Sequence, residues 1–440
     1  MTRPFWRELR GAIFVIVAVS LLTLLLEHMG FLHGFEFYFR DLFLSLRTPK
    51  QLQNVRIIGI DADDYQHLFA GHLPLDSDKV QQLIQAVARA KPRIIGIDLD
   101  TASWDPDTVW SQEKLLPVDP KPMVVWARDV DKDSTRHLIP LQVQGGLKPL
   151  YAADTGLAVV PKDPDGLFRR SFREVDVGGR PAPTFQWVVF KSAYPERANK
   201  ALKSGNELTL NFAGNLYALN SIPAQVVLKM ASDPGFSDDN YFKDKIVLIG
   251  NIFHTARDEH ATPVGMLPGV MLMAQAIESE ADGGGIHQLD EMKMLALELL
   301  LGVGLVILHR NVSLGLSFLI SVAGVFILAP ICGYIAFSSA TMWMNFIPII
   351  VAVLIHQLYD NAEEYRKLLA AQAQAGKSAH ASLDSSGTDA EKKPSASNRE
   401  QAPTVAPSSP NSPESQTLTS ATSSHAPSDH ARSPDQQIIG

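Results

Sequence analysis

Cysteine is almost absent from this chain: its 440 residues include a single one, Cys332, which lies inside an apolar run. A disulfide needs two cysteines, and a cysteine-based metal site needs more than one thiolate. Neither can therefore form within one chain. Any folded domain has to be held together by buried apolar surface, as a domain of roughly 255 residues can be without disulfides.

A strong positive charge is also missing. Lys and Arg number 39 against 47 Asp and Glu, which gives a formal net charge of −8 at pH 7. The charges are scattered along the chain, and no basic patch with interleaved aromatic residues occurs. The sequence therefore predicts no nucleic-acid partner.

Recognisable catalytic motifs are lacking as well. The chain contains no P-loop, no G-x-S-x-G elbow and no kinase or cyclase signature. The stretch HTARDEH at 254–260 carries ligand-type side chains, but its spacing does not match a zinc protease and it follows a strand in a loop. The sequence predicts no enzyme activity, no catalytic residues, no cofactor and no bound metal.

Long apolar runs, in contrast, are present. The first is GAIFVIVAVSLLTLLL at 11–26, and Arg3, Arg7 and Arg10 precede it. About 20 apolar residues are needed to span the hydrocarbon core of a membrane. A cleaved signal peptide is the competing interpretation, but no A-x-A-like cleavage site follows. We expect residues 1–30 to form a cytoplasmic N-terminus and an uncleaved transmembrane helix.

Later apolar runs predict three more transmembrane helices within residues 291–360. The runs cover about 292–308, 313–335 and 343–359. Arg310 lies between the first two and Arg366 follows the third, whereas the intervening AFSSATM has no basic residue. By the positive-inside rule, the tail is cytoplasmic and residues 31–290 face outward. The apolar runs thus predict a multi-pass membrane protein, with the lipid bilayer as a partner and the main domain outside the cytoplasm.

The hexapeptide RIIGID occurs twice, at 56–61 and 93–98. Each copy is a short apolar run that ends in aspartate, which is typical of a buried strand. Between them, apolar residues recur at helical spacing until Pro92. Strand, helix and strand at this spacing predict a right-handed βαβ unit with adjacent parallel strands. A third such run, KIVLIGN at 245–251, is expected in the same sheet.

The predicted fold class is therefore α/β, with a largely parallel sheet flanked by helices in the outer domain and four transmembrane helices, one N-terminal and three C-terminal. After the last span, residues 361–376 predict a cytoplasmic helical extension. Residues 377–440 are rich in Ser, Pro and Ala and have too little apolar surface to offset their ordering entropy. We expect this tail to be disordered.

Four motifs in this order resemble the CHASE2 family of bacterial extracytoplasmic sensory domains. They are RDLFLSLR, the pair IGIDADD and IGIDLD, DPDGLFRRSF at 163–172, and KIVLIGN with DEHATP and LPGVMLMAQAIES at 245–279. The resemblance covers about residues 5–360 and implies a sensory domain between membrane helices. It also implies that the protein lies in the bacterial inner membrane, with the main domain in the periplasm. Relatives often continue into a cyclase or kinase, whereas we expect no output enzyme in this chain.

Candidate ligand-binding residues follow from the predicted parallel sheet and from the family resemblance. Parallel strands end at one edge of a sheet, where open α/β folds bind ligands, so Asp61 and Asp98 could bind a ligand or share a cation. Helix or turn capping is the alternative role for each. Either Arg169 or Arg170 is expected to pair with one of these carboxylates or with Asp258, and the other to be solvated; Arg169 is taken as the candidate. The resemblance adds Asp258 and Thr262, on a loop that crosses the sheet end, and completes a predicted cleft.

Three functions stay open on the sequence alone. The first is a membrane-anchored sensor that binds a small ligand or an envelope protein and signals to a separate cytoplasmic partner. The second is a structural or scaffolding protein of an envelope assembly. The third is an extracytoplasmic enzyme acting through Asp61, Asp98 and a cation, which the missing nucleophile and base disfavour. A homodimer is compatible with each of them.

Overall fold

A computed structural model describes residue 14 and residues 17–387, with gaps. The gaps comprise residues 27, 102–103, 105–121, 133–137, 141–154, 215–218, 234, 237–240, 254–257 and 313. Within these limits the chain is mixed α/β. Two compact units are distinguished, the first extending to Gln357 and the second beginning at Leu358.

The described part of the chain contains both strands and helices. The strands are β1 Val55–Ile60, β2 Ile94–Asp98, β3 Met123–Arg128, β4 Val130–Lys132, β5 Leu138–Pro140, β6 Thr155–Leu157, β7 Arg170–Phe172, β8 Glu174–Val177, β9 Arg180–Pro183, β10 Glu207–Thr209, β11 Ser221–Pro223, β12 Ile246–Asn251, β13 Glu259–Thr262, β14 Gly265–Pro268, β15 His287–Gln288 and β16 Met342–Trp343. The helices are α1 Val17–Leu26, α2 His33–Leu46, α3 Ser77–Arg89, α4 Phe185–Ala193, α5 Pro195–Ala201, α6 Ala224–Met230, α7 Gly269–Ala281, α8 Glu291–Asn311, α9 Leu314–Ala323, α10 Ala329–Ala340 and α11 Ile347–Gly387.

Six parallel strands form the central sheet in the order β11-β1-β12-β2-β3-β6. The predicted parallel sheet is confirmed, and so is the place of KIVLIGN in it. The prediction that β1 and β2 are neighbours is wrong, because β12 pairs with both. A strand from far along the chain can enter the middle of a sheet, since the entropy of closing a long loop rises only slowly with its length.

Helices cover both faces of this sheet. On one face α3 and α6 pack against Ile58, Ile60, Ile97 and Ile249. On the other face, α4 and α7 cover the neighbouring side chains of the same strands. The predicted helix between the two RIIGID strands is confirmed as α3, whose first turn is capped by Asp76. Because successive side chains of a strand point to opposite faces, both layers need apolar residues throughout, as the uninterrupted Ile-rich runs provide.

Among the described residues, one helical stretch is long and apolar enough to cross a membrane, Leu316–Ala340. Val17–Leu26 and Ile347–Tyr359 are shorter apolar helices, and the former falls in the first predicted span. The other predicted spans stay predictions. Helix α11 extends to Gly387 and so passes residue 376, where the helical extension was expected to end. The rest of the predicted disordered tail lies outside the described residues.

Candidate functional site

Asp61, the end of the first RIIGID copy, has a local structural role. Its Oδ1 accepts a hydrogen bond of 2.8 Å from the backbone N–H of Asp64, at the start of a π-helical turn. Strand β12 separates it from the strand of Asp98. The predicted side-by-side pair of carboxylates is therefore wrong, and the capping alternative describes Asp61.

Asp98, the end of the second copy, faces other acids. Burial raises the pKa of its carboxyl well above the ordinary value, and repulsion from Asp258 and then Asp129 adds to the shift. Burial also raises the pKa of Asp129, with Asp100 and Asp258 as further causes. We call Asp98, Asp100, Asp129 and Asp258 the acidic edge. It lies at the carboxyl ends of β2, β3 and β12, the usual ligand position in an open α/β sheet.

Asp258 is held in place by its surroundings. Its Oδ1 lies 2.8 Å from Nε2 of His260, and its carbonyl oxygen accepts from the N–H of Gly269, the first residue of α7, at 3.0 Å. A Cβ at position 269 would lie 2.1 Å from Oδ2 of Asp258, so a larger residue there would displace this carboxylate. His254, from the same predicted stretch, lies outside the described residues, and those described hold no group of three side chains arranged for a metal ion.

Arg169 does not pair with the acidic edge, contrary to prediction. Its side chain is 3% exposed and contacts three other carboxylates. Nη2 lies 2.7 Å from Oδ2 of Asp41, on α2, and 2.6 Å from Oδ2 of Asp165. Nη1 lies 3.1 Å from Oδ2 of Asp163, whose side chain is fully buried and also meets Nη2 of Arg170 at 2.6 Å. We call this cluster the ionic junction.

The ionic junction unites two motifs that are far apart in the chain, RDLFLSLR and DPDGLFRR. A charge buried in this way is stable only if its partners are close and well oriented. The flat guanidinium group presents several N–H donors at once, which suits three carboxylates better than an ammonium group would. Sequence reasoning missed Asp41 as a partner, because only the folded chain brings α2 against the DPDG loop.

A continuous series of contacts connects the acidic edge with the ionic junction. From Asp258 the series passes to His260, whose ring meets the Phe168 ring edge to face with centroids 4.7 Å apart. Phe168 also donates its N–H to the carbonyl of Ala261 at 2.8 Å, and Arg169 follows it in the chain. Thr262 has a different role: its hydroxyl donates to the carbonyl of Gly265 at 2.6 Å and closes the β13–β14 turn.

Two further carboxylates with defined structural roles were not singled out by the sequence. Asp64 is completely buried, and it accepts from the N–H groups of Ala224 at 2.7 Å and Gln225 at 2.9 Å. Burial raises the pKa of Asp64, whereas these hydrogen bonds lower it. Glu278 accepts from three successive backbone N–H groups that lead into β1. The motif IGIDADD has three acidic residues within four positions. The sequence alone therefore does not show that Asp61 caps the turn and that Asp64 is buried.

A polar cavity of about 370 Å³ lies at the opposite end of β1 from the acidic edge. Its lining includes Arg47, Lys50, Asn211, Glu278, Ser279 and Asp282. Arg47 already donates to Oδ1 of Asn211 at 2.6 Å, and Glu278 is engaged with backbone. The cavity is thus a second candidate for a binding site, and some of its lining side chains are already engaged in holding the fold.

By its fold, the domain belongs to the open parallel α/β class, in which ligands bind at the carboxyl ends of the strands. The chain belongs to the CHASE2 domain family, whose model matches residues 14–308. This family consists of extracytoplasmic sensory domains, so the chain has an extracytoplasmic sensory domain as its main part. No curated protein and no solved structure was found to match it.

Replacing Asp98 with asparagine is expected to stabilise the domain at neutral pH, by about 1 kcal/mol. A carboxyl whose pKa is raised on folding lowers the stability of the fold as the pH rises above its unfolded pKa, and the loss is complete above its folded pKa, because the charged form is better solvated in the unfolded chain. The gain should vanish below about pH 4, where the unfolded chain also keeps the proton. Denaturant unfolding of the full chain at several pH values measures this.

The matched control is Asp61→Asn, at the end of the equivalent strand. Asparagine caps helices about as well as aspartate, so this variant should leave stability nearly unchanged. A loss of stability in Asp98→Asn at pH 7 would show that the Asp98 charge is favourably compensated and would contradict the description of the acidic edge.

Proposed function

We propose that this protein is a membrane-anchored sensor of the bacterial inner membrane. Its extracytoplasmic domain binds a small ligand or an envelope protein, and the membrane helices pass the change to separate cytoplasmic partners. The observation that carries this proposal is the ionic junction, because Asp41 belongs to α2 and α2 begins only seven residues after α1 ends. The ionic junction therefore fixes α2, the helix that follows α1 in the chain, to the extracytoplasmic domain.

A second connection supports transmission through the C-terminal helices. Strand β15, just before α8, pairs with β16, which follows α10. Trp343 of β16 donates its Nε1–H to Oε1 of Glu36 on α2 at 3.1 Å. A movement of α2 would thus also act on the segments that precede α8 and α11.

The acidic edge supports the binding part of the proposal. Neighbouring carboxylates that are partly withdrawn from water favour a cationic group or a proton between them. A bound cation would relieve the repulsion between Asp98 and Asp258, and His260 and Phe168 lie between Asp258 and the ionic junction. As on the sequence alone, the missing catalytic motifs disfavour an enzyme acting at this edge, and we propose no output enzyme in this chain.

Hydrogen–deuterium exchange of the full chain in lipid nanodiscs tests the coupling, with Asp98→Asn as a mimic of the neutralised site. Coupling energies along such contacts are about 0.5–2 kcal/mol, so exchange in His33–Leu46 should slow by a factor of about 2–30. Asp61→Asn, at the same end of the sheet but outside the contact series, should leave exchange in this helix unchanged.

Unaltered exchange of α2 in Asp98→Asn would mean that the acidic edge and the helices are not coupled. The scaffolding alternative, in which the domain holds an envelope partner without transmitting a signal, would then be favoured. An equal response to both variants would also argue against coupling through Asp258, since Asp61 has no part in that series.

A further inference from the structure

Helix α2 differs from an ordinary surface helix, because it buries charged residues beside Phe43 and Leu44 and exposes large apolar ones. Its charged residues Glu36 and Arg40 are each 7% exposed, on the face that packs against the protein. Its free face shows Phe35, Tyr38 and Leu46, which are 62%, 64% and 60% exposed. A surface helix of a soluble domain instead has its apolar stripe inward and its charges in water.

Two acidic residues of α2 have partners in the protein, whereas Arg40 lies over the Phe37 ring, 5.0 Å from its centroid. Glu36 accepts from Trp343, and Asp41 pairs with Arg169 in the ionic junction. Burying charges is costly and needs such partners, so this face is specifically built. The outward residues, in contrast, lie on one side of the helix and are each more than half exposed. Exposing a continuous aromatic and aliphatic stripe to water is unfavourable, whereas exposing it to hydrocarbon is not.

Helix α2 packs against Leu316–Ala340, the helical stretch that is long and apolar enough to cross a membrane. The Phe43 ring packs on Tyr334 and Phe337 of α10, with centroid distances of 5.4 and 5.8 Å, and the Tyr334 hydroxyl donates to the carbonyl of Leu46 at 3.2 Å. Tyr334 and Phe337 precede Ala340, where the stretch ends, by two helical turns or less. At 1.5 Å per residue, α2 packs within roughly 9 Å of that end.

We infer that α2 is a membrane-interface helix that lies in the outer leaflet, with its apolar stripe against lipid and its charged face against the protein. Lipid is favoured over a second copy of the chain because the stripe adjoins other exposed apolar faces of membrane helices. Leu21 and Leu25 of α1 and Ile335 of α10 are all more than half exposed. Tyr38 suits this depth, since tyrosine is enriched at membrane–water interfaces.

Site-directed spin labelling of the full chain in lipid nanodiscs tests this assignment. Labels are attached at Phe35→Cys and Tyr38→Cys in a Cys332→Ser background, so that each variant has one thiol. Two references bracket the result: the native Cys332, exposed on α10 within the membrane-crossing stretch, and Gln82→Cys, exposed on α3 of the domain. Accessibility is measured to oxygen, which concentrates in lipid, and to a water-soluble nickel chelate.

Labels on α2 are expected to match Cys332, with high oxygen and low nickel accessibility, and to differ from Gln82→Cys. High nickel accessibility at both positions would place the stripe in water and overturn the inference. Low accessibility to both reagents, with dipolar broadening between labels, would show that a second copy covers the stripe and would overturn it equally. Thermal unfolding of each labelled variant verifies that the chain is folded, so either outcome refers to the native protein.

Discussion

Replacing Arg169 with leucine is expected to destabilise the domain by about 3–5 kcal/mol, the usual cost of removing one partner from a buried ion pair. Asp163, whose side chain is fully buried, would keep only Arg170 as a cationic partner. Asp41 on α2 would lose its contact with the DPDG loop altogether. Denaturant unfolding of the full chain in detergent, followed by tryptophan fluorescence, measures the change.

Two variants accompany this prediction. Arg169→Lys keeps the charge but reaches fewer carboxylates, so it should recover part of the loss. Asp63→Asn removes an exposed ion pair with His67, in which the side chains are 56% and 74% exposed, and should change stability by less than about 0.5 kcal/mol. If Arg169→Leu costs no more than Asp63→Asn, the ionic junction does not stabilise the fold.

Replacing Gly156 with alanine is expected to cost about 3 kcal/mol or more, although it adds only one methyl group. Gly156 lies in β6, where the strand passes the start of α4. A Cβ there would be 2.5 Å from the Cα of Phe185 and 2.7 Å from the carbonyl carbon of Thr184. Because both contacts are with backbone, no side-chain rotation relieves them, and α4 would have to move away from the sheet.

Gly34→Ala is the matched control for this variant. Gly34 lies in helix α2, and no atom outside its immediate neighbours comes within 4 Å of the position that a Cβ would take. Alanine is the better helix former by about 1 kcal/mol, so this variant should be neutral or slightly stabilising. The same unfolding measurement compares the two, and a similar small change in both would contradict the close approach of β6 and α4.

Some residues of the candidate site could be predicted from local sequence patterns, and others could not. Asp98 was predicted at a strand end, and Asp258 was placed near it by the family resemblance. In the structure, burial raises the pKa of Asp98, and repulsion from Asp258 raises it further. Arg169 was predicted to pair with a carboxylate, but its partners are Asp41, Asp163 and Asp165 and not those of the predicted cleft. An arginine side chain is long, and several carboxylates were in reach of any plausible loop, so only the position of α2 selects Asp41.

The repeated RIIGID shows the same limit for the fold. Its uninterrupted apolar runs and the amphipathic helix between them determined, by themselves, two buried parallel strands and α3, because side-chain periodicity follows directly from backbone geometry. The order of the strands was decided only in the tertiary structure, where β12 enters between β1 and β2. Three strands of nearly equal composition can fill a central position equally well, so strand composition cannot distinguish them. Packing of the whole sheet against helices on both faces selects one order, and with it which carboxylates meet at the edge.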